Sequence, residues 1–424
     1  MRSLYTALLY LLTPLLLLYL LFRGLKEPGY RERWGERFGF FAAPGSGETL
    51  WIHAVSMGEV NAAAGLIRSL ANSYDTKKLC ITTFTPTGSA RVRELFGDTA
   101  FHVYSPLDLP GAAKRFLDRT KPRIAIMMET EIWPNLYRQV KGRGIPLLIA
   151  NARISDRSLG RYRHFSKLTT DALGCVSRIA AQSERDAGRL VEIGAPPDRV
   201  VLTGNLKFDI EIPAGLEQKA STLRETWGPK RPVLVAGSTH PEEEPVILES
   251  FGGLLQDIPD ALLVLVPRHP DRFRRAAQAA KAAGLTVARR STSEEKPAGA
   301  QCYLVDRMGE LMHFYAAGDV AFVGGSLQPV GGHNVLEPAA LGKPVIVGPY
   351  TSNFADVTDQ LLDAGAAVRV FDAAGLRQTV RELFANEKAR LEMGRNGRER
   401  VKRNQGAVNR TLDIIAELLT EAAG

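Results

Sequence analysis

The sequence predicts an α/β protein: two Rossmann-like, doubly wound domains facing a cleft, preceded by one N-terminal membrane-anchor helix. Three observations predict it. Short apolar runs alternate with amphipathic stretches through most of the 424 residues, the βαβ signature of a parallel sheet with helices on both faces. That rhythm breaks over residues 206–232, a polar stretch with Pro213, Gly215, Gly228 and Pro229, and then restarts. Residues 4–22 are apolar and carry no charge.

The uncharged segment comes first. As a helix rising about 1.5 Å per residue it spans roughly 28 Å, close to a hydrocarbon core. Tyr5, Tyr10 and Tyr19 suit the interfaces. Arg23, Lys26, Arg31, Arg33 and Arg37 follow it, against Arg2 alone in front. The positive-inside rule therefore places the body in the cytoplasm. A cleaved signal peptide and an in-plane helix compete with this reading. No small-x-small site follows, the leading charged region is thin, and no polar helical face shows, which favours a retained anchor that crosses the membrane. Pro14 is tolerable there. The predicted boundaries are an anchor at 1–24, a first domain at 25–206, a linker at 207–231 and a second domain at 232–424 that includes the C-terminal helices.

Length and composition bound the rest. The length exceeds one comfortable domain, and 45% hydrophobic residues mean a globular body. Cys80, Cys175 and Cys302 form no CxxC and no close pair, which argues against a disulfide framework or a zinc site and for a reducing compartment. His53, His240, His269 and His333 lack ligand spacing, so no metal is expected. The formal net charge of +8 suits an anionic membrane or an acidic substrate. No nucleic-acid signature accompanies it.

In the first domain, strands are expected at 50–54, 78–83, 101–104, 123–128, 146–150 and 178–181. The run WIHAVSMGEVNAAA turns from strand to helix at Ser56 and Gly58, and Glu59 opens the helix. A carboxylate at a strand's C-terminal end suits a general base. It equally suits a helix N-terminus, where acids complement the dipole. In MMETEIWPN, strand residues run into Glu129 and Glu131 before Trp133 and Pro134 start a helix. Carboxylates buried at a strand end are costly unless paired or used. The alternative is one solvent-facing acid and one cap. NARISDRS puts Arg153 and Arg157 past the next strand, and TGNLKFD puts Lys207 past the strand at 200–202. These cations can hold an anionic ligand or simply pair with the acids.

In the second domain, strands are expected at 233–236, 262–266, 286–288, 302–305, 320–323, 345–347 and 367–370, with an all-helical tail from Asp372. Thr239, Pro241 and the acids at 242–244 read as a helix start. VPRHPDRF sets Arg268 and His269 directly after a strand, where an arginine forks a phosphate or pairs with Asp271. DRMGEL offers Gly309 and Glu310 at another helix start. The richest block is GGSLQPVGGHNVLEPAALGKPVIVGP at 324–349. Gly324, Gly325 and Ser326 let backbone approach a ligand. A second pair, Gly331 and Gly332, precedes His333, Asn334 and a helix expected from Val335, whose N-terminus is an anion site. Glu337, one turn in, can take a sugar diol. Phosphate plus ribose is the chemistry of a nucleotide. Asn334-x-x-Glu337 is also a plain capping box.

Taken together, HAVSMGE, ETEIWPN, NARISDRS, GNLKFD, AGSTHPEEE, PRHPDR, MGEL and the 324–349 block resemble, in order and over nearly the whole chain, the bacterial Kdo transferases. These enzymes add 3-deoxy-D-manno-oct-2-ulosonic acid to lipid A precursors. The resemblance implies a GT-B fold, an inverting and metal-independent transfer without cofactor, CMP-Kdo as donor and the lipid A precursor (lipid IVA) as acceptor at the anionic inner membrane. It places the general base on Glu59 and transition-state stabilisation on Glu129 and Lys207. It places CMP-Kdo contacts on Arg268 and His269, on Met308, Gly309 and Glu310, on Gly325 and Ser326, and on Asn334, Val335, Leu336 and Glu337. Glu131, Arg153 and Arg157 are left as contacts to acceptor or Kdo. One departure is Arg307, where the family pattern has a small polar residue.

Overall fold

The computed structural model describes residues 1–45, 47–74, 78–293 and 299–422. The chain forms two compact units, one of residues 1–209 with 404–424, the other of residues 210–403. In the first unit, β1 (Thr49–His53), β2 (Leu79–Thr83), β3 (Phe101–Tyr104), β4 (Pro122–Met128), β5 (Leu147–Ala152), β6 (Arg178–Ala181) and β7 (Val200–Leu202) form one sheet. Its order is β3-β2-β1-β4-β5-β6-β7, and every pairing is parallel. In the second unit, β8 (Val233–Thr239), β9 (Leu262–Pro267), β10 (Val287–Arg289), β11 (Cys302–Leu304), β12 (Val320–Val323), β13 (Val345–Val347) and β14 (Ala367–Arg369) form another. Its order is β10-β11-β9-β8-β12-β13-β14, again all parallel. All fourteen expected strands are present.

Each sheet has apolar side chains on both faces because helices cover both. In the first unit Leu50, Ile52, Ile124 and Ile126 pack with Val60, Ile67 and the C-terminal Ile415. Trp51, Met127 and Ile149 point the other way, into a cluster with Phe116 and Tyr137. Helix starts follow local chemistry. Thr85 accepts from the Gly88 N–H at 3.1 Å and Pro86 opens the helix Pro86–Phe96, while Asp372 accepts from the Gly375 N–H at 2.7 Å to cap Ala373–Ala385.

Three expected boundaries change. The second domain does not run to the C-terminus. The last helix, Ala407–Glu421, belongs to the first unit, where Ala407, Ile414, Ile415 and Leu418 join the core. Asp209 fixes its start, accepting from the Gly406 N–H at 2.6 Å and the Val408 N–H at 2.5 Å. The stretch 207–231 is not a structureless linker. It contains the helix Leu216–Trp227, whose Trp227 ring stacks on Phe314 at 6.1 Å within the second unit. The helix expected at Pro241 begins at Glu244 instead.

The N-terminal helix Arg2–Arg23 is long and apolar enough to cross a membrane. It also touches the body of its unit. Tyr5 donates to Asp108 at 2.9 Å and Thr6 to Asn135 at 3.0 Å, and Leu9 and Leu16 pack on Leu107, Leu109 and Ala112.

Asp209 carries both N-terminal caps of the last helix, so Asp209→Ala should destabilise the first unit by about 2 kcal/mol. Urea unfolding checks this. An unchanged midpoint would mean that apolar packing alone holds the helix.

Candidate active site

The strand order reverses between β1 and β4 in the first unit and between β8 and β12 in the second, where β10 and β11 are also interchanged at one edge. Open α/β sheets bind ligands at the carboxyl ends of strands beside such a reversal. The expected site residues fall in two groups, with Glu59 and Glu129 beside the first reversal and the 324–333 loop beside the second.

In the first unit Glu59 lies in the first turn of the helix Met57–Ser73, just after β1. Its Oε2 accepts from the Val55 N–H at 2.7 Å, so it has a structural role beside the helix N-terminus. That role does not exhaust the residue. Burial, with Glu129 adding to it, pushes the Glu59 carboxyl up to about 8, and Glu131 acts in the same direction; the Val55 N–H and Arg153 oppose them. Glu129 follows β4 with φ +56, a left-handed conformation that costs a non-glycine residue about 1 kcal/mol or more. The Glu129 N–H reaches the Ala150 carbonyl at 2.9 Å, and its carboxylate takes the Arg153 guanidinium at 3.2 Å. Glu131 accepts from the Trp133 indole at 3.1 Å, and its carbonyl accepts from the Tyr137 hydroxyl. Burial pushes the Glu131 carboxyl up to about 7, Glu129 adding and Trp133 opposing. Glu59, Glu129, Glu131 and Arg153 are therefore one electrostatic cluster.

Lys207 sits in a single turn, Leu206–Phe208. Asn151 ties that turn to the end of β5. It is fully buried with φ +55, and its Oδ1 accepts from the Leu206 N–H at 3.0 Å. Sequence reasoning missed Asn151, whose only signal was its place at a strand end before Arg153. Arg157 stands exposed on the helix Asp156–His164, and no contact joins it to the acids.

In the second unit the acids at 242–244 do something the sequence reading did not anticipate. Glu243 is fully buried and accepts from three backbone N–H groups, His240 at 2.9 Å, Gly325 at 2.7 Å and Leu327 at 3.3 Å. It fastens the glycine loop after β12 to the end of β8. The fit needs glycine, because a Cβ on Gly324 would lie 2.4 Å from the Ser238 carbonyl and 2.5 Å from Glu243. The loop then closes on itself, Gly332 N–H to Gly325 carbonyl at 2.7 Å and His333 N–H to Gly324 carbonyl at 3.2 Å.

His333 returns over this loop to stack on His240, ring centroids 5.1 Å apart and Nε2 atoms 2.8 Å apart. His269 meets His240 edge-on at 5.7 Å. Burial, with His240 and Arg268 adding to it, holds His333 down to about 3. Burial and His269 lower His240 as well. This pair had been set aside at the sequence level for want of metal spacing; its pairing is a contact across 93 residues of chain that no local pattern reports.

Asn334 donates to Glu337 at 3.1 Å and accepts from the Leu336 N–H at 3.1 Å. Burial raises the Glu337 carboxyl above its usual range, with Asn334 and then Arg268 opposing. The helix beyond is only Leu336–Ala340, with Val335 as its cap, so little macrodipole accumulates and the expected anion site depends on side chains and loop amides. The Ser326 hydroxyl is occupied by structure, donating to the Val323 carbonyl at 2.5 Å and accepting from Gly348 at 2.8 Å. Glu310 is engaged by Arg290 at 3.0 Å and 3.3 Å. Met308 is exposed and Gly309 has φ +84.

Removing the Glu243 acceptor strands three N–H groups at once. Glu243→Ala should cost the second unit about 3 kcal/mol or more, and Glu243→Gln less, because one acceptor oxygen remains. Denaturant unfolding of the three proteins checks the order.

Residues 32–210 match the family described as 3-deoxy-D-manno-octulosonic-acid transferase (kdotransferase), and residues 233–400 match the glycosyl transferases group 1. A 3-deoxy-D-manno-octulosonic acid transferase of Haemophilus influenzae is 42% identical over 99% of both chains. One of Bordetella pertussis is 36% identical, also over 99% of both. In fold, the chain is similar to a UDP-GlcNAc 2-epimerase of Neisseria meningitidis, with a TM-score of 0.56 at 15% identity over 88% of this chain and 100% of that one. Two parallel sheets of seven strands with these relatives make the fold GT-B, and the chain belongs to the 3-deoxy-D-manno-octulosonic acid (Kdo) transferase family, the glycosyltransferases that add Kdo in lipopolysaccharide synthesis.

Proposed function

We propose that this enzyme transfers Kdo from CMP-Kdo to the lipid A precursor with inversion, without a metal, and with Glu59 as general base. The observation that carries the reading is the acid cluster at the β1 and β4 ends. A carboxyl whose pKa lies near the working pH exchanges protons best, and Glu59 is pushed to about 8.

The chemistry follows from the residues. The second unit takes the CMP moiety, with Glu337 on the ribose hydroxyls, Asn334 holding Glu337 in place, and Arg268 and His269 near the phosphate. The Met308, Gly309 and Glu310 backbone takes the base. The acceptor hydroxyl gives its proton to Glu59 as its oxygen bonds to the anomeric carbon. The bond from that carbon to the phosphate oxygen breaks on the opposite face, and CMP leaves with the electron pair. Glu129 favours the oxocarbenium-like charge that develops. Lys207 faces the Kdo carboxylate, and Arg153 and Arg157 serve the anionic acceptor. The enzyme works at the inner membrane with its body on the cytoplasmic side.

Glu59→Gln should lower Kdo transfer by roughly 10²–10⁴-fold with CMP affinity unchanged within about twofold. Transfer from CMP-Kdo to a tetraacyl lipid A precursor, with chelator present, checks both the base and the independence from metal. Equal transfer by both proteins would remove Glu59 from the mechanism. The sign of the pH dependence is fixed. Below about 8 Glu59 holds a proton and above it is free to accept one, so kcat/KM should rise with pH through that value. Glu337→Ala should weaken CMP by about 1–3 kcal/mol, roughly 5–150-fold, as titration calorimetry would report.

A further inference from the structure

The N-terminal helix has two opposite faces that its composition conceals. Tyr5, Thr6, Leu9, Thr13, Leu16 and Leu20 are all half-buried or buried. They recur every three or four residues and so form one stripe along the whole helix. Leu4, Leu11, Leu15, Leu18 and Phe22 are 60–75% exposed. At 100° per residue these five fall within about 40° of one direction, roughly opposite the buried stripe.

Both ends are fastened to the same body. Near the start, Tyr5 and Thr6 reach Asp108 and Asn135. Asp108 is itself built in, accepting from the Asn135 and Leu136 N–H groups at 3.1 Å and 2.7 Å. Near the finish, Arg31 donates to the Leu21 carbonyl at 3.3 Å, and Arg23 lies 4.6 Å over the ring of the buried Tyr30. Tyr5 and Leu21 are about 24 Å apart along the helix at 1.5 Å per residue. A helix crossing the bilayer would carry both attachment points through it. The body's charged side chains beside the first attachment, such as Arg138 and Lys141, would then lie in hydrocarbon, where a charge is strongly disfavoured.

We propose that the helix does not cross the membrane but lies in its surface, docked on the first unit by one face and seated in lipid by the other. The body takes the place of the polar face that an interfacial helix needs. Charge agrees with an anionic lipid surface as the occupant. Arg2 and Arg138 line a groove of about 590 Å³ between the helix and the body, and Arg2, Arg138 and Lys141 all act on Cys175 nearby. Arg23 and Lys26 follow at the other end. Each cation near such a surface strengthens the attraction. A lipid-seated helix against the first unit would hold the body at the depth where a lipid acceptor presents its sugar.

The test uses the full chain with Cys175→Ser, since Cys80 and Cys302 are buried. Inverted inner-membrane vesicles carrying Ser3→Cys or the body marker Lys388→Cys are treated with a membrane-impermeant maleimide, before and after permeabilisation. Equal labelling of both sites before permeabilisation, within about twofold, is expected. Labelling of Ser3→Cys that needs permeabilisation while Lys388→Cys does not would overturn the proposal. A fluorophore on Leu11→Cys gives a second reading in vesicles with nitroxide lipids. Strongest quenching by a nitroxide near the headgroup is expected. Strongest quenching from the chain end, or none from either, would overturn it. Neither reading depends on transfer, so they are independent of the donor and the base assigned above.

Discussion

Strands β1, β2, β5, β9 and β12 are buried from end to end, because helices cover both faces of each parallel sheet. Such a sheet accepts polar chemistry only past its strand ends. The acids, the arginines and the histidine pair all obey that constraint. It also explains why reversal of the strand order matters. Between β1 and β4, and between β8 and β12, the connecting helices leave to opposite sides, and the strand ends there are not covered by the same crossover. Glu59 with Glu129, and His240 with the 324–333 loop, occupy those two gaps.

Holding side chains at these ends requires backbone that an ordinary strand does not adopt. Glu129, Asn151 and Ser238 all have φ near +55. Two of them coincide with register irregularities, Asn151 between β5 and β6 and Ser238 between β8 and β9. Each is over-determined by neighbours: Glu129 by Ala150 and Arg153, Asn151 by Leu206 and Gln182, Ser238 by the close approach of Gly324. Strain of this kind persists where surroundings fix it, and it collects at functional sites. Here it turns the chain sharply, so that Glu129 leaves the strand beside Arg153 rather than continuing along it.

The fold was legible because strand periodicity is local. Fourteen short apolar runs with turns between them can be read without knowing what pairs with what. The strand-end positions of Glu59, Glu129 and Arg268 were legible for the same reason. What was not legible depended on contacts between distant residues. Asp209 reaching Gly406 moves the last helix to the first unit, and no spacing along the chain announces it. Glu243 looked like a first-turn acid because the sequence does not show that the Gly325 amide arrives beside it. The N-terminal helix is the sharpest case. Leu9, Leu16 and Leu20 pack inward while Leu11, Leu15 and Leu18 point out, and hydropathy gives both sets the same value. Only docking separates the two faces.

The three acids of the first unit are chemically alike, and their surroundings divide the work. Glu129 is held against Arg153, which suits a group that must remain an anion while positive charge develops nearby. Glu131 is turned toward Trp133, its backbone carbonyl taken by Tyr137, an arrangement that orients it and restricts its movement. Glu59 has only a backbone N–H as its direct partner among the bonds described and feels both other carboxylates. Glu59 and Glu131 are the two carboxyls of the cluster pushed toward neutral pH, to about 8 and about 7, and the proposed mechanism uses Glu59. Pairs of titratable groups whose environments push them apart mark the division between proton carrier and fixed charge. In the proposed mechanism Glu59 carries the proton, and Glu129, paired with Arg153, stands beside the developing charge. Arg153 maintains the difference. Without it Glu129 would lose its counter-charge.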